Sequence, residues 1–251
     1  MNRIIIFFAS LLCFSPVFLS AQSYAFGVKG GATIGIQNWE NSFQRSALFR
    51  YHGVAFIESA PEDDQFALFA QAGYHIKGSA IRTFGSTFVD QNGNTRRFNG
   101  LNQTFEFRNA SLSVGAKQKF DAGFGDSKFY YLLGIRADYT INTNFDQLDL
   151  EANPLYATIY PIEGFVNKFN YGAIVGGGIE IPFGELTGAI LEFSVNPDFS
   201  KQYNQPQINN VINPNPDASQ RTITIPERSI TNVTFEISLG FRFLNLIEYI
   251  D

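Results

Sequence analysis

Asn232-Val233-Thr234-Phe235-Glu236-Ile237-Ser238-Leu239-Gly240-Phe241-Arg242-Phe243 changes character at every step. Val233, Phe235, Ile237, Leu239, Phe241 and Phe243 share one parity, while Asn232, Thr234, Glu236, Ser238, Gly240 and Arg242 share the other. Side chains of a strand point alternately to its two faces, so this stretch reads as a strand with one apolar and one polar face. The same period recurs at 127–141, where Phe129, Tyr131, Leu133, Ile135, Ala137 and Tyr139 alternate with Tyr130, Leu132, Gly134, Arg136 and Asp138. It recurs again at 65–77, where Phe66, Leu68, Ala70, Ala72, Tyr74 and Ile76 alternate with Ala67, Phe69, Gln71, Gly73, His75 and Lys77.

Eight runs carry the pattern: 24–37, 47–58, 65–78, 104–120, 127–141, 169–182, 187–198 and 230–243. In the fourth, Phe105 and Phe107 have the opposite parity to Ala110, Leu112, Val114 and Ala116, which predicts a bulge or loop boundary near Arg108 and Asn109. The connections 59–64, 121–126 and 183–186 are tight and rich in Gly, Pro and acids. Those at 38–46, 79–103, 142–168 and 199–229 are longer, and short and long connections alternate. An even number of long strands with long loops at one end predicts an eight-stranded antiparallel up-and-down transmembrane β-barrel, with short periplasmic turns and long extracellular loops. The barrel domain spans 22–251.

A soluble lipocalin-like ligand-binding barrel has the same period with its apolar face turned inward. Parity does not separate the two, but the polar face does. A water-facing sheet carries many Lys, Glu and Thr. Here that face is dense in glycine, including Gly27, Gly31, Gly35, Gly115, Gly134, Gly172, Gly176, Gly178 and Gly240. Between them stand Lys29, Arg50, His52, His75, Lys117, Arg136, Asp138, Glu180, Glu192, Glu236 and Arg242, with Lys77 as a further cation. Small residues beside ions of both signs suit a crowded interior, so these side chains are expected to form a polar network in the lumen. Eight strands leave room for little more than their own side chains, which predicts a salt-bridged plug rather than an open channel.

The composition agrees. Only 16% of the 251 residues are charged, and 27 Phe, 11 Tyr and one Trp stand against one Cys and one Met. Mean hydropathy is −0.06, the average of one apolar face, one polar face and hydrophilic loops. A single cysteine excludes a disulfide or thiolate-metal scaffold. A net charge of −5 and a pI near 5.1 argue against a nucleic-acid partner.

At the N-terminus, Arg3 precedes the apolar run Ile4 to Leu12, and Pro16 is followed by Phe18-Leu19-Ser20-Ala21-Gln22. This reads as a secretory signal over 1–21, cleaved after Ala21. Together with Phe26-Gly27-Val28-Lys29-Gly30-Gly31, the Gly53-Val54-Ala55-Phe56 hairpin, the exit at Tyr74 and Lys77-Gly78, and the terminal Gly240-Phe241-Arg242-Phe243, it resembles the PorT-like outer-membrane β-barrel family of Bacteroidota. The likeness covers most of 22–243 and rests on strand patterns, not on a catalytic motif. It implies an outer-membrane location, outer-membrane lipid as surroundings, and a link to protein secretion through the family's namesake. The last strand also resembles the aromatic-ended signal read by barrel-assembly machinery, although the chain continues from Leu244 to Asp251.

The search for chemistry yields little. A tight turn at 59–64 would set His52 opposite Gln71 and His75 opposite Leu48, about 13 Å apart along the barrel at about 3.3 Å per residue, so the histidines are not expected to form a dyad. The loop acids Asp146, Asp149, Glu151 and Glu163 lack a calcium-loop pattern. The loop through Pro206 and Pro214 is Asn/Pro/Gln-rich and is expected to be mobile, and Asn92-Gly93 predicts a hairpin within the second long loop. Asn102, Asn109 and Asn232 head Asn-X-Ser/Thr triplets, but the last two fall in strands. No phosphate-binding loop, cofactor motif or metal-ligand spacing is present. The expected function is a non-enzymatic envelope protein that is structural or docks another envelope protein through its long loops. The alternatives are a small channel, a barrel hydrolase or acyltransferase using His75, and the soluble barrel.

Overall fold

The computed structural model describes residues 23–42, 45–61, 65–82, 85–89, 93–98, 102–147, 160–213 and 219–246. The predicted signal sequence, Asp149 and Glu151 lie outside them.

Eight long strands build the wall: β1 (Tyr24–Trp39), β2 (Ser46–Ser59), β3 (Phe66–Arg82), β6 (Asn102–Asp121), β7 (Lys128–Thr143), β8 (Phe169–Pro182), β9 (Thr187–Pro197) and β13 (Arg228–Asn245). Each pairs antiparallel with the next in that order, and β1 pairs with β13 from Tyr24↔Asn245 to Trp39↔Ile230. That last ladder closes the sheet into a ring, which removes its free edges. The chain runs up and down, with tight connections at one end (the turn end) and long ones at the other (the loop end).

Above the loop end, β4 (Ser86–Val89) pairs with β5 (Thr95–Phe98), and Gly93 between them has φ +80°, the left-handed backbone that glycine adopts without strain. The hairpin expected around Asn92-Gly93 is therefore formed. The fourth long loop is more ordered than its composition suggested. β10 (Tyr203–Gln205) adds to β13, and β11 (Ile208–Ile212) pairs with β12 (Thr222–Ile225). Backbone pairing with the projecting end of β13 fixes a segment whose polar side chains alone would not.

Of two local readings, the irregularity near Arg108 and Asn109 is found and the separation of the histidines is corrected. The register of β6 and β7 shifts at Arg108/Asn109, and the extra residue is Ile141 on β7. Phe105 and Phe107 keep the parity of Asn109, Ser111 and Ser113 and point inward, both fully buried. The histidines are also closer than expected. β2 and β3 are staggered, pairing Glu58 with Phe69, so His52 lies directly opposite His75 rather than Gln71.

Candidate functional site

The candidate site is the barrel interior, filled in layers from the turn end to the loop end. The first layer is a ring of alternating charge. Glu58 accepts hydrogen bonds from Lys117 Nζ at 2.6 Å, Lys119 Nζ at 3.1 Å and Arg242 Nε at 3.1 Å. Lys119 also reaches Glu180 at 3.0 Å, and Arg242 lies 3.8 Å from Glu180. The corners Glu58, Lys119, Glu180 and Arg242 come from β2, β6, β8 and β13, every second strand of the ring.

Above it, Lys29 bonds Glu192 at 2.6 Å, and the Tyr130 hydroxyl donates to the same carboxylate at 2.8 Å. Around this pair Phe56, Phe69, Tyr130, Leu132, Ile174 and Ile190 form a buried apolar cluster. The inward glycines make room for it. A Cβ on Gly178 would sit 2.4 Å from the Leu191 carbonyl oxygen and 2.6 Å from the Tyr130 hydroxyl, and one on Gly115 would sit 2.3 Å from the Leu133 carbonyl oxygen and 2.8 Å from the Phe69 ring. Gly178→Val is therefore expected to displace Tyr130 and cost about 1–3 kcal/mol, the usual range for overpacking. Urea unfolding in detergent micelles measures it, and an unchanged midpoint would contradict the close packing.

The third layer holds the histidines. His75 Nδ1 lies 2.5 Å from Glu236, His52 Nε2 lies 2.7 Å from Ser238 Oγ, and His52 Nδ1 lies 3.0 Å from Thr33 Oγ1. The two rings stack at 5.5 Å with 5° between their planes. The structure thus brings together two residues that the sequence reading separated. Next comes a bridge across the lumen. Lys77 on β3 bonds Asp138 at 2.7 Å and Asp198 at 2.8 Å, and Asp198 follows β9 on the opposite wall. Arg136 completes it, 3.0 Å from Asp138 and 2.6 Å from Asp198. A layer of amides and hydroxyls follows, in which Gln37 donates to Asn232 at 2.7 Å and Gln202 to Asn109 at 3.1 Å. Asn232 also donates to Gln202.

Trp39, Ile81, Phe105, Phe107, Phe145, Tyr160, Tyr203 and Ile230 then cap the loop end. Asp146 and Glu163 are exposed outside this cap.

Lys29, His52, His75, Lys117, Arg136, Asp138, Glu180, Glu192, Glu236 and Arg242 all lie in these layers. Arg50 does not join them. It bonds Glu106 where β2 and β3 lose their pairing between Ala47/Ser79 and His52/His75, and its side chain is 31% exposed. Of the ions in the layers described above, three were missed. Lys119 shares the parity of Lys117 and was legible, whereas Glu58 and Asp198 sit at strand ends, where an acid looks like part of a turn.

No protein-family model matches the chain, and no curated protein does. Among solved structures it is similar to the outer membrane protein OprG from Pseudomonas aeruginosa, at 10% identity over 88% of this chain and 97% of that one, with a TM-score of 0.47. It is also similar to the attachment invasion locus protein Ail of Yersinia pestis, at 8% identity over 88% and 99% of the two chains, with a TM-score of 0.37. The outer membrane protease OmpT from Escherichia coli matches at 9% identity over 90% and 98%, with a TM-score of 0.35.

Proposed function

We propose that the chain is a sealed outer-membrane β-barrel, without enzymatic activity, that serves the envelope as a structural or docking protein through its loop end. The carrying observation is the inverted distribution of side chains. Ions and amides fill the interior, while Val28, Leu112, Leu133, Ile135, Leu191 and Leu239 are exposed on the outer wall, Ile135 and Leu239 at 68%. Water-soluble monomers rarely expose contiguous apolar patches beyond a few hundred Å². Exposed aromatics flank the band. Phe66, Phe120, Phe129, Phe241 and Phe243 lie toward the turn end, and Tyr51, Tyr139, Phe169 and Tyr171 toward the loop end, as membrane girdles require.

On this reading outer-membrane lipid surrounds the wall, and barrel-assembly machinery recognises the aromatic end of β13. The resemblance to the PorT-like family of Bacteroidota, with an accessory role in protein secretion, belongs to the same proposal. The Lys77–Asp198 bridge, the apolar cluster and the aromatic cap favour a closed lumen over a small channel. The hydrolase alternative meets a His75 that is 3% exposed, bonded to Glu236 and stacked on His52.

Two measurements test the proposal together. The purified chain is expected to need detergent for solubility and to migrate differently on a gel before and after boiling. Reconstituted into planar bilayers, it is expected to add no reproducible conductance step. Solubility without detergent would overturn the membrane reading, and a stable open state would overturn the seal.

A further inference from the structure

Glu106 is an acid on the outer wall. It shares the parity of Ala110, Leu112 and Val114 on β6, opposite to that of the buried Phe105 and Phe107. Successive side chains of a strand face opposite sides, so its carboxylate lies outside the lumen. Arg50 closes on it. Nε donates to Oε1 at 2.8 Å and Nη2 to the same oxygen, while Nη1 donates to the Phe49 carbonyl at 2.8 Å. Arg108, two residues along the same face, has a side chain 34% exposed. Its Nη2 lies 3.7 Å from Glu106 Oε2, too far for a hydrogen bond. Among the described residues Arg108 donates no hydrogen bond, and Glu106 is the one acid paired with either arginine. Two cations thus share one carboxylate, and the donors left over belong to Arg108.

The height of Arg108 on the wall identifies what it meets. Ala110 lies opposite Tyr139, whose ring packs 5.1 Å from Phe169 in the loop-end girdle. Arg108 lies two residues beyond Ala110, about 7 Å at about 3.3 Å per residue, on the side away from Leu112 and Val114. The head-group layer beyond the hydrocarbon is about 5–8 Å deep on each side of a bilayer, so the guanidinium falls within it. Tyr51 is 62% exposed, and Tyr74, cross-strand from Ala110, lies within electrostatic reach of Arg108, Glu106 and Tyr51. An exposed guanidinium with unfilled donors is the complement of a phosphoryl group, which its planar fork grips through two oxygens.

We propose that Arg108 binds the phosphorylated head group of an outer-leaflet lipid, with Arg50 as the positioning residue that holds Glu106 away from it. The inference rests on the membrane reading above, in which the loop end faces outward. The occupant is a lipid because the apolar wall at Leu112 and Val114, on the same face below the guanidinium, receives the acyl chains. A free phosphate would gain only the ionic contact.

The full chain, folded in maltoside micelles, is titrated with diphosphorylated lipid A, and bound lipid is counted by native mass spectrometry. The same lipid after phosphatase treatment, and inorganic phosphate as a competitor, are the comparison arms. Saturable binding that requires the phosphoryl group is expected, weakened about tenfold or more in Arg108→Gln. Arg108→Lys keeps the charge without the fork and is expected to lose less. Arg50→Gln frees Glu106 to close on Arg108 and is expected to weaken binding, and adding Glu106→Gln is expected to restore it. Lys168→Gln removes another exposed cation of the loop end and is expected to change nothing. Gel migration before and after boiling checks the fold of each variant. A folded Arg108→Gln that binds like the parent, equal binding of the dephosphorylated lipid, or an equal loss in Lys168→Gln overturns the site. Displacement by an equal concentration of inorganic phosphate overturns the lipid as its occupant, and failure of Glu106→Gln to restore binding overturns the role of Arg50. A chain that stays soluble without detergent overturns the membrane reading itself, and the site with it.

Discussion

Replacing Glu58 by Gln is expected to destabilise the barrel by about 3–5 kcal/mol, the cost of removing one partner from a buried ionic network. The Glu58 side chain is fully buried and holds Lys117, Lys119 and Arg242 at once. Neutralised, it leaves three cations around Glu180 as the nearest acid of the ring. The measurement is urea unfolding in detergent micelles, followed by Trp39 emission and by the gel shift on boiling. A loss below about 1 kcal/mol would mean that the turn-end layer behaves as a hydrated surface rather than a desolvated one. Adding Lys119→Met to Glu58→Gln is expected to restore part of the loss, because it removes one uncompensated cation. If the two substitutions simply add, the ring is not a coupled unit.

The second large effect belongs to the outer wall. Ile135 lies in the middle of the apolar band, between Val114 on β6 and Ala173 on β8. Ile135→Arg is expected to cost about 2–4 kcal/mol in lipid, because a cation near the midplane of a bilayer has neither water nor a partner. On a water-facing wall the same change would fall within about 0.5 kcal/mol. Unfolding in lipid vesicles measures the difference. Asp126→Arg, in the tight connection at the turn end, is the control and is expected to be near neutral. Equal effects at both positions would remove the case for a lipid-facing band.

Most of the wall was legible because alternation is a local property. The parity of Val233 through Phe243 carries the direction of each side chain whatever the strand's neighbours are. What failed was non-local. His52 and His75 meet because β2 and β3 are staggered, a shift that leaves no trace in either strand's pattern. The apolar layer was hidden for another reason. Phe56, Phe69, Leu132, Ile174 and Ile190 occupy the polar parity, and their neighbouring glycines looked like small fillers between ions when they are seats for rings. The aromatic cap was invisible because Trp39 and Arg45, which flank one connection, meet Phe105 and Tyr203 from two distant segments that only closure of the ring brings together.

The charge ring at the turn end also bears on how the barrel avoids closing wrongly. Its corners come from alternate strands, so no single hairpin contains it, and it forms only when all the ladders agree. A slip of one residue in any of the four strands turns that strand's ion to the outer wall and strands its partners inside. The wrong assembly is then penalised twice, by an ion facing lipid and by a charge left alone in the interior. Glu58, Lys119, Glu180 and Arg242 thus act as a parity check on assembly, rejecting the miscounted barrel while the hydrophobic band alone would tolerate a slip in a strand whose two faces are both partly apolar.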